Sequence, residues 1–317
     1  MANMTAHEFI PPTRQGVSAS KVFLPTMHGK PPETTFAYLC AHFSHILASE
    51  WQQRFDDGLI IDAQGQTLSV ASPYLSNQHI FYYRFLSHEV AVPFQHEILF
   101  ENEHLLVVDK PHFLTMTPTG KYVQETLLVR LKQSGQTPDL TPIHRLDRET
   151  AGVVMFCKKP ESRGVYQSLF AARDVQKTYH AIAPYYHTLQ FPRTVRLNMS
   201  KGEPFYTMKV NPDAEPNSET WIECLEYSNH WAKYRLSPKT GKQHQLRVHL
   251  AHLGLAIQND PLYPFLAHKA DDDFSNPLQL LAKELQFVDP ITQTEMYFCS
   301  RQSLSLSFDR NDNHAIF

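Results

Sequence analysis

Asp147 stands between two arginines in the run His144-Arg145-Leu146-Asp147-Arg148-Glu149-Thr150-Ala151-Gly152. Positive charge on both sides favours an ionised carboxylate, which can act as a nucleophile or as a general base. The same pattern also suits a loop held by a structural ion pair, since such pairs perturb titration as well.

A second cluster, Lys239-Thr240-Gly241-Lys242-Gln243-His244-Gln245-Leu246-Arg247, continues through His249 and His252. A basic, glycine-containing loop that feeds a helix offers an anion free N–H groups, the helix dipole and lysine side chains. The spacing differs from a GxxxxGKS or GxxxxGKT phosphate loop, so nucleotide hydrolysis is unsupported. The three histidines lack the companion acid and the HExxH spacing of a metal site and are expected as polar surface residues. A third run, Lys177-Thr178-Tyr179-His180-Ala181-Ile182, brings a lysine and a tyrosine into a strand, where a tyrosine at the edge of the core is the plainer reading.

These residues need elements to hold them. Residues 1–34 are rich in Pro, Thr, Ser and Gly without an apolar period and read as an extended arm. Phe36, Leu39, Cys40, Phe43, Ile46 and Leu47 follow a helical period. Strand-like runs come next at 59–61, 67–70 and 79–85, giving a small α+β module over 35–95. From residue 96 the pattern predicts a hairpin over 98–108, a short helix over 123–131 and a buried strand over 153–157. A helix begins at Pro160, with Val165, Leu169 and Phe170 facing inward. Strand 179–183, a hairpin formed by 221–227 and 231–236, and a helix over 243–253 stopped by Gly254 complete the pattern. Runs of strands with few helices and no βαβ alternation predict an α+β fold with a mixed, largely antiparallel sheet and flanking helices.

Composition limits what such a fold can do. The chain has 317 residues, 42% hydrophobic, which excludes a disordered or fibrous protein. Its four cysteines are far apart, with no CxxC pair, which predicts a reducing cytoplasm. No apolar run reaches the roughly 20 residues of a membrane span. The net charge of -3 argues mildly against a polyanionic partner, but the charge is segregated. Residues 1–104 hold five basic against ten acidic side chains, and 271–317 hold three against eight. The intervening 105–270 hold twenty-one basic against fourteen acidic, and every cluster described above lies there. Tyr166, Phe170, Tyr179, Tyr234 and Tyr263 are interleaved with those charges, a mixture suited to phosphate contacts and base stacking, although most also suit a core.

Taken in order, LLVVDKP (105–111), HRLDRETAGV (144–153), KTYHAI (177–182) and TGKQHQLRVHLAHLG (240–254), with an Asn-Asp turn ending at Tyr263, closely resemble the RluA-type family of RNA pseudouridine synthases over roughly 96–300. The resemblance implies a catalytic domain over 96–317 that isomerises uridine to pseudouridine in structured RNA, ribosomal RNA before transfer RNA, with no cofactor and no metal. It implies Asp147 as the catalytic aspartate, Arg247 as the arginine that pairs with it, and Tyr179 as the tyrosine packed on the uracil face. Arg145 matches a position that enters the RNA stack vacated by the target nucleotide. Arg148, Lys177, Lys239, Lys242 and His244 are the further RNA-contact candidates. Three positions depart from the family pattern: Lys242 in place of arginine, Gln258-Asn259-Asp260 in place of a Gly-Asp turn, and Leu281 in place of histidine. The 35–95 module is similar in position to the small RNA-binding domain of many relatives, but its acidic charge suits packing better than phosphate. A cytoplasmic monomer with RNA as its partner is expected. The competing reading is a non-catalytic RNA-binding or ribosome-assembly protein on the same fold.

Overall fold

Alternation begins earlier in the chain than the sequence suggests. A computed structural model describes residues 9–306 apart from Phe85, Ser87, His88, Gln136 and Asn229, and within it the chain divides into two compact units. In the expected arm, Val22 and Leu24 are buried while Lys21 and Phe23 face out, so β1 (Ser20–Leu24) is a strand. It pairs antiparallel with β3 (Gln78–Tyr82), which pairs on its other edge with β2 (Ile60–Asp62). Residues 67–70, expected as a strand, make only an isolated bridge from Thr67 to Ile61.

The helical period expected over 36–47 is helical only as far as α1 (Thr35–His42), capped by the Thr34 hydroxyl on the Ala37 N–H at 3.1 Å, and a second helix, α2 (Ala48–Asp56), follows beyond it. An unbroken helix would extend about 30 Å. The break instead folds buried Trp51 and Phe55 back onto Tyr38 and Leu39.

Residues 117–138, expected within the catalytic domain, belong to this first unit. Val123 and Val129 pack with Val17 and Leu86, contacts that no local pattern reveals. The helix here, α3 (Leu127–Gln133), starts later than expected. The Glu89 carboxylate accepts the N–H groups of Val123, Gln124 and Glu125 at 2.7–2.9 Å and holds them outside the helix, and Thr126 caps it.

The second unit is built on a ten-stranded sheet. Its strands are β4 (Glu97–Glu101), β5 (Leu105–Lys110), β6 (Thr141–Pro142), β7 (Ala151–Cys157), β8 (Gln176–Pro184), β9 (Arg193–Leu197), β12 (Ser218–Tyr227), β13 (Trp231–Pro238), β14 (Leu280–Val288) and β15 (Glu295–Cys299). A separate pair, β10 (Met199–Lys201) and β11 (Met208–Val210), forms a two-stranded ribbon. The main order is β4-β5-β7-β14-β8-β13-β12-β9, with β15 on β14 and β6 on β7. All pairings are antiparallel except β7 with β14. The expected mixed, largely antiparallel α+β sheet is therefore present.

Where β7 meets β14 the backbones approach closely. Gly152 has φ +114°, and a Cβ there would lie 2.2 Å from the Ala282 carbonyl oxygen. Only glycine fits this crossing, which sets the start of β7 and so the loop before it.

Two helices cover the sheet. α4 (Pro160–Ala172) packs Tyr166 among Leu105, Val153, Met155 and Phe287, and the buried Tyr166 hydroxyl donates to Asp289 at 2.9 Å. Of the expected inward face, Leu169 and Phe170 pack against this core, while Val165 is 45% exposed and Ser162 and Tyr166 are buried in its stead. α5 (Gln245–His252) lays Leu246 and Leu250 over Ala181, Ala183, Ile222 and Leu236. It starts two residues later than expected, since His244 at φ +54° is left-handed and cannot continue a right-handed helix. No described helix is long and apolar enough to cross a membrane.

Candidate active site

Asp147 lies in the loop between β6 and β7. Lys110, at the end of β5 and wholly buried, donates through Nζ to the carbonyls of Pro111 (3.0 Å), Leu114 (2.8 Å) and Arg148 (3.2 Å). Burial pulls its pKa down to about 7, against the nearby charges of Glu149 and Asp147. His144 fixes the other side of the loop. Its Nε2 accepts the Met155 N–H at 3.1 Å, its ring stacks on Phe170, and burial lowers its pKa to about 3, so it serves as a neutral acceptor.

Arg247 reaches the loop from the middle of α5. Its Nη1 stands 3.3 Å from Asp147 Oδ2, while Nη2 and Nε hold Asp260 Oδ1 and Oδ2 at 2.6 and 2.8 Å. The Arg247 and Asp260 side chains are each 1% exposed, against 28% for Asp147. Burial disfavours the guanidinium charge, but the bonds and charge of Asp260, then the charge of Asp147, raise the Arg247 pKa overall. The arginine is thus a fixed cation with one corner left for the exposed carboxylate.

The turn that carries Asp260 explains one departure from the family pattern. Asn259 takes φ +63° at the position of the usual glycine, which asparagine tolerates. Asp260 Oδ1 also accepts the N–H groups of Leu262 and Tyr263 at 2.8 and 3.1 Å. Tyr263 in turn lies beneath Arg247, its ring centre 5.4 Å from the guanidinium carbon.

Tyr179, on β8, packs half-buried against the α5 core. Burial, then the charge of Asp147, raises its phenol pKa, so it stays protonated at neutral pH. His244 stands 3.8 Å from Asp147 through Nε2. The structure therefore gathers Asp147, Arg247, Tyr179 and His244 from the chain's separate clusters.

The remaining candidates occupy varied settings. Arg145 is exposed and has no ion-pair partner among the described residues. Arg148 turns to Glu149 (3.2 Å), the Asp271 carbonyl (3.3 Å) and the Phe113 ring. Lys177 is half-buried beside Gly241, and burial, then Arg173, lowers its pKa. Lys239 lies 3.7 Å from Glu219, which also binds Arg196. Lys242 is exposed and carries no ion pair among the described residues.

The histidines expected on the surface separate. His252 is exposed, but His249 is fully buried and bonds through Nε2 to Ser218 Oγ at 2.9 Å. It faces the sheet because α5 turns that side toward β12.

Three residues that hold the site carry no role in the sequence reading, Lys110, Gln245 and Asp260, and Tyr263, there an aromatic suited to stacking, supports Arg247 instead. Gln245 is buried, takes the Lys242 N–H and the Thr240 hydroxyl at 3.1 and 2.7 Å, and so shapes the basic loop. The Asn-Asp turn ending at Tyr263 was visible as a motif, but its partner Arg247 is named only by the fold. Among the described residues no group of three or more His, Cys, Asp or Glu could hold a metal ion.

Chemically, the site offers an accessible carboxylate beside a fixed cation, a protonated phenol and a neutral imidazole. That set suits proton movement and transient nucleophilic attack, with the flat tyrosine ring available to a planar group.

Comparison with known proteins matches residues 104–252 to a family described as RNA pseudouridylate synthase. The human pseudouridylate synthase RPUSD2 is 33% identical over 177 residues, 54% of this chain and 31% of its own length. The tRNA pseudouridine synthase C of Vibrio vulnificus is 31% identical over 215 residues, 63% of this chain and 88% of that protein. The ribosomal large subunit pseudouridine synthase C of Vibrio cholerae is 31% identical over 206 residues, 64% of each. This chain thus spans about a third of the human relative and most of the V. vulnificus one. Among solved structures, human RNA pseudouridylate synthase domain containing 1 superposes with a TM-score of 0.54 at 22% identity, covering 68% of this chain and 86% of the other, which supports the fold.

Proposed function

Because the chain belongs to the RNA pseudouridylate synthase family, we propose that it isomerises uridine to pseudouridine in structured RNA, using Asp147 as the reactive carboxylate. The observation that carries this reading is the placement of Asp147: 28% exposed, at the end of a buried Asp260–Arg247 pair that directs Nη1 toward it. A loop ion pair needs no third, buried partner behind the arginine, and a binding surface needs no such fixed geometry.

The reaction breaks the N1–C1′ bond, turns the uracil while it is held, and joins C5 to C1′; C5 gives up its proton and the freed N1 takes one from solvent, so atoms balance without an added reactant. Asp147 begins it by attack on the nucleoside or by taking a proton from the sugar. Arg247 holds the carboxylate in place through Nη1. Tyr179 packs against the uracil face as a neutral phenol. Reaching the base requires extruding it from the RNA at a cost of a few kcal/mol. Exposed Arg145 is suited to fill the gap, and Lys242, with Lys177 beside Gly241, to hold phosphate.

Ribosomal RNA is the first substrate proposed and transfer RNA the second, both represented among the 31%-identical relatives. The enzyme is proposed to work in the cytoplasm as a monomer, consistent with four unpaired cysteines.

The test is tritium release from cellular RNA labelled at uridine C5, with wild-type protein and Asp147→Ala. Release by the wild type, lost by roughly a thousandfold in the variant, is expected. RNA retention without release would favour the non-catalytic reading. Mapping pseudouridines in total RNA with and without the protein identifies the target.

A further inference from the structure

His244 occupies a position that costs backbone energy. It is a non-glycine residue at φ +54°, immediately before α5, and its side chain is 9% exposed. That conformation turns the imidazole inward, between Tyr263 and Asp147.

Hydrogen bonds tie the two rings together. The Met208 N–H donates to Tyr263 Oη at 2.8 Å, so the phenol directs its own proton elsewhere. His244 Nδ1 lies 2.8 Å from the same Oη, and the arrangement in which the phenol donates to it leaves the imidazole proton on Nε2. The Gln243 Nε2 amide, a donor, reaches that ring nitrogen only at 3.5 Å, and a proton on it would point at Asp147 Oδ2, 3.8 Å away. This is the oxygen that Arg247 Nη1 approaches at 3.3 Å. The separation from Nε2 is too long for a hydrogen bond as it stands, but catalytic contacts in ligand-free sites are commonly long and tighten when substrate arrives.

The chain of contacts continues outward. Met208 opens β11, which pairs with β10 and leaves a loop over 202–207. That loop is fastened to the residue before His244, because Gln243 Nε2 donates to the Tyr206 carbonyl at 3.4 Å and Lys201 Nζ donates to Gln243 Oε1 at 2.6 Å. At its apex Phe205 is 81% exposed. A shift of the loop would move the Met208 N–H, and with it the proton arrangement that ends at Asp147.

We propose that His244 is a positioning residue for Asp147: Tyr263 fixes its tautomer so that Nε2–H is the carboxylate's second donor, and loop 202–207 governs that contact through Met208. The proposal rests on the reading of Asp147 as the reactive carboxylate. It gives His244 an inward task in place of an RNA contact. Tyr263 supports Arg247 with its ring and meets both His244 and the Met208 N–H with its hydroxyl, and Tyr263→Phe removes the hydroxyl contacts while keeping the ring.

The experiment measures single-turnover tritium release from C5-labelled cellular RNA, with enzyme in excess, beside filter retention of the same RNA and thermal unfolding. The variants are Tyr263→Phe, His244→Gln, His244→Leu and Asp147→Ala. Loss of one donor to a charged group should slow Tyr263→Phe and His244→Leu by roughly tenfold or more with RNA retention within twofold. His244→Gln, which keeps an N–H donor, should recover part of that rate. Wild-type rates in both Tyr263→Phe and His244→Leu overturn the proposal. So does weaker RNA retention with an unchanged single-turnover rate, which would restore His244 to the RNA surface, or a rate loss equal in the Gln and Leu variants that follows a fall in melting temperature. Turnover by Asp147→Ala overturns the underlying reading by itself, whatever the His244 variants do.

Discussion

Arg247 and Asp260 form a two-point ion pair, Nη2–Oδ1 at 2.6 Å and Nε–Oδ2 at 2.8 Å, with both side chains 1% exposed. The resemblance named Asp147 as the arginine's partner, yet the tighter bond is to the buried aspartate behind it. Asp260 orients the guanidinium, and Asp147 receives the one corner that Asp260 leaves.

Removing that anchor should be costly. Asp260→Asn leaves a buried guanidinium without its full countercharge, and breaking a buried pair on one side typically costs about 3–5 kcal/mol. Urea unfolding should show a lower midpoint, and single-turnover release should fall even at temperatures where the variant is folded. An unchanged midpoint would show that Asp260 does not bear the charge of Arg247.

Gly152→Ala should damage the protein far from any substrate contact. The new Cβ would lie 2.2 Å from the Ala282 carbonyl oxygen at φ +114°, combining overpacking with backbone strain. A loss of about 3 kcal/mol or more is expected. Gly164→Ala is the control: it lies within α4 with open space around it and should stabilise by about 0.5–1 kcal/mol. Thermal melts of the two variants should move in opposite directions.

Stability should decline on mild acidification. Burial lowers the pKa of His112, His180 and His249 to about 4 and of His144 to about 3. Between the ordinary histidine value of 6.5 and those values, the unfolded chain binds more protons than the native one. Their contribution is therefore intact above about pH 6.5 and is lost as pH falls toward 4. The urea midpoint should drop between pH 7.5 and pH 5, roughly the window in which free histidine takes up its proton. The drop should be smaller in His144→Gln, whose side-chain oxygen can still accept the Met155 N–H. An equal drop in that variant would rule out His144 as a contributor.

The two loop lysines should differ in RNA binding. Lys242 is exposed without an ion pair, whereas Lys239 is partly neutralised by Glu219 at 3.7 Å. Lys242→Ala should weaken RNA retention and reduce the slope of log affinity against log salt by about 0.7–0.9. Lys239→Ala should do less. Equal effects would mean that Glu219 releases Lys239 when RNA binds.

The linear pattern carried much of this protein. HRLDRETAGV, KTYHAI and TGKQHQLRVHLAHLG, in order and at the right spacing, marked the family and brought forward Asp147, Tyr179 and Arg247. Apolar alternation and strand-rich runs gave the α+β class, because side-chain period follows directly from backbone geometry. What the pattern could not supply were relations between distant residues. Asp260 behind Arg247, Lys110 beneath the Arg148 carbonyl, Val17 against Val123 and the Tyr263–His244 contact each depend on segments meeting in space. The exposure of Val165 and the burial of His249 were hidden for the same reason: a helix shows its period locally, but the sheet it lies on decides which edge of the face turns inward. The sequence alone determined the candidate reactive groups, because residue types and spacing are local, and tertiary packing decided which of them touch and where Asp147 points.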